Sequence, residues 1–220
     1  MDKQRVRERI LEIGIVPVVR ASSAKEARMA AEAVCKGGIS IVEITMTVPG
    51  ALEVIRELTT GSARDVLVGA GTVLNAEMAQ QCVKAGAEFL VSPGFNRRMV
   101  ELAAREGKLV MAGALTPTEV LMAWEAGADL VKVFPCGSVG GAKYIKALRG
   151  PLPQIPLVPT GGVNLSTAGE FIEAGAVALG VGGELVSAEA LKGGNAELIA
   201  ENARKFLEVV RSARAKLAAG

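Results

Sequence analysis

The sequence predicts a single closed (β/α)8 (TIM) barrel spanning residues 1–220, with one extra helix leading into it and another finishing the chain. Three observations point there. Eight short apolar runs, near residues 15, 41, 66, 89, 109, 130, 156 and 178, are each followed by a helical pattern. Helix ends repeatedly close on glycine and pass at once into the next apolar run. The length of 220 residues suits one such domain, since barrels of this kind run to roughly 200–250 residues. A doubly wound open sheet is the alternative. It would usually carry a glycine-rich dinucleotide turn after its first strand, and Val19-Arg20-Ala21 is not one.

In chain order, residues 2–13 set Val6, Ile10, Leu11 and Ile13 among charges at a helical period, which makes a leading helix. Ile15 to Val19 is the first strand and ends in Arg20; Ser22-Ser23-Ala24-Lys25-Glu26 reads as a capping box opening an Ala-rich helix. The glycine beat recurs at Gly37-Gly38, Gly86, Gly107, Gly127 and Gly175. Two strands lack it and are read from apolar content alone: Val66 to Val68 after Gly61, and Ile155 to Val158 after Gly150 and the Pro151-Leu152-Pro153 connection, which belongs outside a helix. Residues 195–218 form the closing helix.

Composition narrows the chemistry. There is no histidine, which removes Ser-His and Cys-His nucleophile pairs, histidine proton shuttles and nearly every histidine-ligated catalytic metal. Aromatic residues make up 3% of the chain and the formal charge is +2, so neither a stacking surface nor a strong basic field argues for nucleic acid. Arg5, Arg7 and Arg9, and Arg211, Arg214 and Lys216, read as solvated faces of the terminal helices. Three cysteines, Cys35, Cys82 and Cys136, form no close pair; reduced thiols in the cytoplasm fit best. The charged N-terminus lacks a signal peptide's apolar core and no apolar run is long enough for a membrane span. A soluble, unexported protein without membrane contact is expected.

In a barrel the reactive groups should lie at the carboxyl ends of strands. Lys132 interrupts the apolar run Val131-Lys132-Val133-Phe134-Pro135, where a cation seldom sits without a reason. Glu43 lies between Val42 and Ile44, on the same strand face as Thr45. Each alone is ordinarily a paired or surface-seeking structural residue; together in one barrel they form a candidate amine nucleophile and proton-transfer acid. Gly161-Gly162 after strand 7, and Gly180 with Gly182-Gly183 after strand 8, fall where barrels bind phosphate through backbone N–H groups. A turn's own need for glycine explains either cluster singly. Cys136, with no histidine to activate it, reads as a packing or loop residue; Trp124 and Tyr144 read as packing, Met111 and Met122 as core filler.

The motifs Ile15-Val16-Pro17-Val18-Val19-Arg20, Val42-Glu43-Ile44-Thr45, Gly69-Ala70-Gly71-Thr72, Ser92-Pro93-Gly94, Lys132-Val133-Phe134-Pro135 and Pro159-Thr160-Gly161-Gly162-Val163, in this order and spacing, closely resemble the 2-keto-3-deoxy-6-phosphogluconate (KDPG)/4-hydroxy-2-oxoglutarate (KHG) aldolases. The resemblance covers nearly the whole chain. It implies a class I aldolase, a lyase needing no metal and no cofactor, usually homotrimeric, that cleaves a phosphorylated 2-keto-3-deoxy sugar acid of the Entner-Doudoroff pathway to pyruvate and glyceraldehyde 3-phosphate. 4-Hydroxy-2-oxoglutarate, giving pyruvate and glyoxylate, is a further substrate in the family. Lys132 matches the Schiff-base lysine and Glu43 the general acid/base. Phe134 matches an active-site aromatic, Thr72, Pro93 and Thr160 match residues lining the pyruvate and phosphate sites, and Gly161 and Gly162 match the phosphate loop.

There are two departures. Some relatives carry a carboxylate-binding arginine where this chain has Thr47, and some a phosphate-binding serine where it has Gly183. Arg20 at the end of strand 1 is the expected substitute cation, while Gly183 and its neighbour Glu184 weaken the expected hold on phosphate. Alternatives are the galactonate-series epimer as substrate, an isomerase or epimerase that uses Glu43 without a covalent lysine, and a non-enzymatic assembly module.

Overall fold

The computed structural model describes residues 1–61 and 66–219. Eight parallel strands alternate with helices: β1 Ile15–Val19, β2 Ile41–Thr45, β3 Leu67–Gly71, β4 Phe89–Val91, β5 Leu109–Ala114, β6 Leu130–Val133, β7 Leu157–Pro159 and β8 Leu179–Val181. Strands β1 to β7 pair consecutively in sequence order, and β1 pairs with β8. An isolated parallel bridge, Thr160 to Gly180, and the Val177 N–H donated to Leu157 O at 3.0 Å join β7 to β8 and close the barrel. The strands are buried on both faces, as parallel strands covered by helices must be.

Helices α1 (Lys3–Ile13), α2 (Ala24–Lys36), α3 (Ala51–Thr60), α4 (Ala76–Lys84), α5 (Arg97–Arg105), α6 (Pro117–Glu125), α7 (Ala142–Arg149), α8 (Ala168–Glu173), α9 (Ala188–Lys192) and α10 (Ala196–Ala219) surround them. A 3-10 turn, Cys136–Val139, follows β6, and the Phe134–Pro135 peptide is cis. Gly38, Gly86, Gly107, Gly127 and Gly175 all carry a left-handed φ between 65° and 103°, so each lets a helix end turn straight into the next strand. Gly61 and Gly150 do not; these are the two connections where the beat is missing from the sequence.

Helix α1 lies across the amino-terminal ends of the strands. Val6 and Ile10 are buried, Lys3 pairs with Asp129 at 2.8 Å just before β6, and the Met1 amine pairs with Glu88 at 3.0 Å just before β4. Helix α10 returns to the same end. Arg214 is half-buried, against the solvated face expected for it, because its guanidinium donates to Leu11 O, Glu12 O and Val177 O at 2.7, 2.6 and 3.2 Å. It thereby satisfies carbonyls that the end of α1 leaves open.

Five further expectations change. Gly69-Ala70-Gly71 lies inside β3 rather than after it, and Gly180 lies inside β8. Strand β7 starts at Leu157, two residues later than its apolar run. Ser23 caps α2, but Glu26 reaches back to Ser22 N and Oγ (2.9 and 2.8 Å) rather than to the cap residue itself; the reciprocal capping box is at Thr116 and Glu119, opening α6. Met111 is buried core, whereas Met122 is 42% exposed on α6 beside exposed Leu121.

Candidate active site

Lys132 and Glu43 are built on opposite walls of the barrel. Lys132 on β6 stands between Gly113 and Val158, and Glu43 on β2 between Val18 and Gly69; β2 and β6 are four strands apart in a closed ring of eight. Both side chains point inward among apolar neighbours, with residue exposures of 6% and 2%. The interior is cleared for Glu43 by Gly71, where an added Cβ would overlap the Glu43 carboxylate.

Glu43 Oε1 is buried and makes no hydrogen bond. Burial pushes its carboxyl above the ordinary carboxylate range, opposed by the positive fields of Lys132 and Arg20. Desolvation is the largest of these effects; it acts against the charged form of the carboxyl. Lys132 Nζ lies over the Phe134 ring, 5.3 Å from its centroid, within cation–π distance.

At the carboxyl ends of the strands a cavity of about 250 Å³ opens over Lys132. Its wall includes Arg20, Thr72, Pro93, Lys132 and Phe134, together with Thr160, Gly161 and Gly162 after β7 and Gly182 and Gly183 after β8. All of these were expected from sequence. Val18, Val163, Gly180 and Glu184 also line it; Val18 could have been found because it shares a strand face with Arg20.

Three expected residues, Glu43, Thr45 and exposed Thr47, are not part of the cavity wall. Glu43 lies beneath the cavity floor, and Thr45 is fully buried with its hydroxyl donating to Val19 O at 3.1 Å. With that proton committed, Thr45 Oγ1 accepts from Thr47 at 2.8 Å. The two threonines therefore brace the end of β1, one residue before Arg20, and do not line the cavity themselves.

Thr72 has φ +58°, the one non-glycine residue among those described with a left-handed backbone. Ser92 is buried and its Oγ accepts from Gly113 N at 3.1 Å, tying β4 to the strand beside Lys132. Tyr144 OH donates to Leu115 O at 2.5 Å, and Trp124 packs against the core. Burial pushes the thiols of Cys35, Cys82 and Cys136 up to about 11, which leaves them poor nucleophiles. No group of three or more Asp, Glu or Cys side chains placed to hold a metal occurs among the described residues.

A closed parallel barrel with an inward amine, a buried acid and glycine turns around one cavity defines the class: a (β/α)8 barrel with a catalytic-type mouth at the strands' carboxyl ends. Within that class, the chain belongs to the KDPG and KHG aldolase family, whose model matches residues 6–202. It is 35% identical over 203 residues to the 2-dehydro-3-deoxy-phosphogluconate aldolase of Treponema pallidum, covering 92% of this chain and 96% of that protein. Among solved structures, a native KDPGal structure superposes with a TM-score of 0.84 at 31% identity, covering 91% of this chain and 96% of the other. The KDPG aldolase of Legionella pneumophila, with pyruvate captured as a covalent carbinolamine, superposes with a TM-score of 0.83 at 29% identity, covering 91% and 97%.

Proposed function

We infer that the chain is a class I aldolase, a lyase that cleaves 2-keto-3-deoxy-6-phosphogluconate reversibly to pyruvate and glyceraldehyde 3-phosphate through a Schiff base on Lys132, with 4-hydroxy-2-oxoglutarate as a further substrate. The observation that carries the residue assignment is the pairing of a buried amine with a buried, unpaired acid on opposite walls of one barrel.

The neutral Lys132 amine attacks the C2 ketone to give a carbinolamine. Glu43, whose carboxyl burial raises above its ordinary value, supplies the proton with which hydroxide leaves as water, and an iminium cation remains. Arg20 holds the substrate carboxylate by a bidentate pair, and the Phe134 face stabilises the cation. Ionised Glu43, acting through a water, then takes the C4 hydroxyl proton. The C3–C4 bonding pair moves into the iminium, the aldehyde leaves, and an enamine of pyruvate stays bound. Protonation at C3 and hydrolysis release pyruvate and restore the amine. Thr72, Pro93 and Thr160 shape the wall, and the Gly161-Gly162 and Gly182-Gly183 turns face the substrate's far end.

The described residues share one hydrophobic core, which supports reading residues 1–220 as one domain. Exposed Leu121 and Met122 on α6 support an interface between copies in a homotrimer, and three free thiols support a reducing, cytoplasmic setting. No helix among those described is long and apolar enough to cross a membrane.

Incubation with pyruvate and borohydride, followed by intact-mass measurement and peptide mapping, tests the covalent step. One reduced adduct on Lys132, absent from Lys132→Ala, is expected. A folded wild-type protein that takes no adduct would move the chemistry to proton transfer at Glu43.

A further inference from the structure

Strand β2 carries two polar side chains on its inward face, and they lean to opposite sides. Glu43 tucks against β3, where an added Cβ on Gly71 would overlap its carboxylate. Thr45, two residues on, is fully buried and turns to β1, donating to Val19 O at 3.1 Å while accepting from Thr47 at 2.8 Å. With donor and acceptor both engaged, its rotamer is fixed. Val19 is the last residue of β1, and its carbonyl belongs to the peptide from which Arg20 departs into the cavity wall. The Arg20 side chain makes no hydrogen bond or ion pair among the described residues, although Glu184 lines the same wall. What sets the reach of its guanidinium is therefore the backbone beneath it.

We propose that Thr45 is a positioning residue for carboxylate recognition: its hydroxyl ties the strand that carries Glu43 to the strand end that carries Arg20, and so fixes where the guanidinium meets the keto acid's carboxylate. A bidentate guanidinium–carboxylate pair has a strict geometry, and small misplacements of a group that orients substrate are costly. Replacing the hydroxyl by a methyl of similar size removes the bond and pushes on the carbonyl, because C–H to carbonyl contacts settle at about 3.3–3.6 Å rather than at 3.1 Å. The Val19–Arg20 peptide then tilts, and the tilt is magnified along the arginine stem. Thr47 adds to the brace from the exposed side by orienting the Thr45 hydroxyl. The inference rests on the aldolase reading, in which Arg20 holds the carboxylate, and adds to it the residue that places Arg20.

The test measures the pyruvate dissociation constant by calorimetric titration in the wild type, Thr45→Val, Thr45→Ser and Arg20→Ala, and in the variant that combines Thr45→Val with Arg20→Ala. One hydrogen bond lost at the base of the charge pair should weaken pyruvate binding about three- to tenfold in Thr45→Val, while Thr45→Ser, which keeps the hydroxyl, retains most of the affinity. In the Arg20→Ala background the same substitution should change nothing further, since the residue through which it acts is gone. A general weakening of the fold would instead lower the thermal midpoint and act equally in both backgrounds. An unchanged dissociation constant in Thr45→Val, or an equal loss with and without Arg20, overturns the proposal. Should Thr45→Val fail to fold, Thr47→Val removes only the outer hydroxyl at an exposed position; it is expected to give a smaller loss that also vanishes without Arg20, and a loss that persists there overturns the proposal equally. Borohydride trapping of pyruvate on Lys132, run beside the titrations, reports separately on the aldolase reading. An adduct with an unmoved dissociation constant sinks only the role of Thr45, and no adduct beside the expected titrations sinks only the Schiff base.

Discussion

Two ionisable side chains in apolar strands, Lys132 and Glu43, carry the proposed chemistry, and the cost of burying the acid is measurable. Burial raises the Glu43 carboxyl above its ordinary value of 4.5. The folded state therefore binds its proton more tightly than the unfolded chain, so this group favours folding at acid pH and loses that contribution as pH rises from about 4.5 through the raised folded value. Glu43→Gln should flatten this dependence, making its thermal midpoint less sensitive to alkali than the wild type's, while kcat falls by about 10²–10⁴ with loss of proton transfer. A midpoint whose pH slope matches the wild type would contradict burial as the cause. Lys132 and Glu43 were legible in the sequence because a charge amid Val and Ile is conspicuous. The backbone at Thr72 was not, since Gly71-Thr72-Val73 gives no sign of a left-handed φ. A β-branched residue at +58° stores about 1–2 kcal/mol. Thr72→Gly should accordingly gain about 1 kcal/mol, or about 2–4 °C in midpoint, and lose affinity for pyruvate with the hydroxyl. Thr72→Ala, which keeps a Cβ at the strained angle, should lose that affinity with no gain in stability.

Among the elements, those announced by periodicity were read correctly, and the errors cluster where a strand is made of glycine. Gly69 and Gly71 in β3 and Gly180 in β8 look like turn residues in a list of letters, yet each is in a strand because a neighbour fills its place from inside the barrel: Phe89, Glu43 and Thr160 respectively. No local pattern can reveal this, because the occupant comes from a strand or turn some 20 residues or more away in sequence. Gly180→Ala would drive a methyl into Thr160 Oγ1 at the bridge that joins β7 to β8. A loss of about 1–3 kcal/mol is expected, read as a lower denaturant midpoint. A midpoint equal to the wild type's would mean that the seam yields without strain.

At the scale of the molecule, the eightfold alternation was visible in the sequence, and the return of α10 to α1 was not, because Arg214 in a charged helical stretch looks like any solvated cation. The same ambiguity hid α6, whose Leu121 and Met122 resemble core residues but face outward. Met122→Glu should split the proposed homotrimer into smaller species by light scattering while leaving the circular dichroism of the barrel intact; an unchanged mass would place the interface elsewhere. The barrel itself is unevenly fastened. Five residue pairs register β2 against β3, whereas one bridge, Thr160 to Gly180, joins β7 to β8. The ring is a collar whose clasp sits under the two glycine turns, so any molecule gripping both turns fastens it. Occupancy would then be legible as slowed amide exchange and protease resistance along the clasp, reaching about 2.7 kcal/mol of added stability at a hundredfold excess over Kd. A non-reacting ligand could be ranked that way without a single turnover.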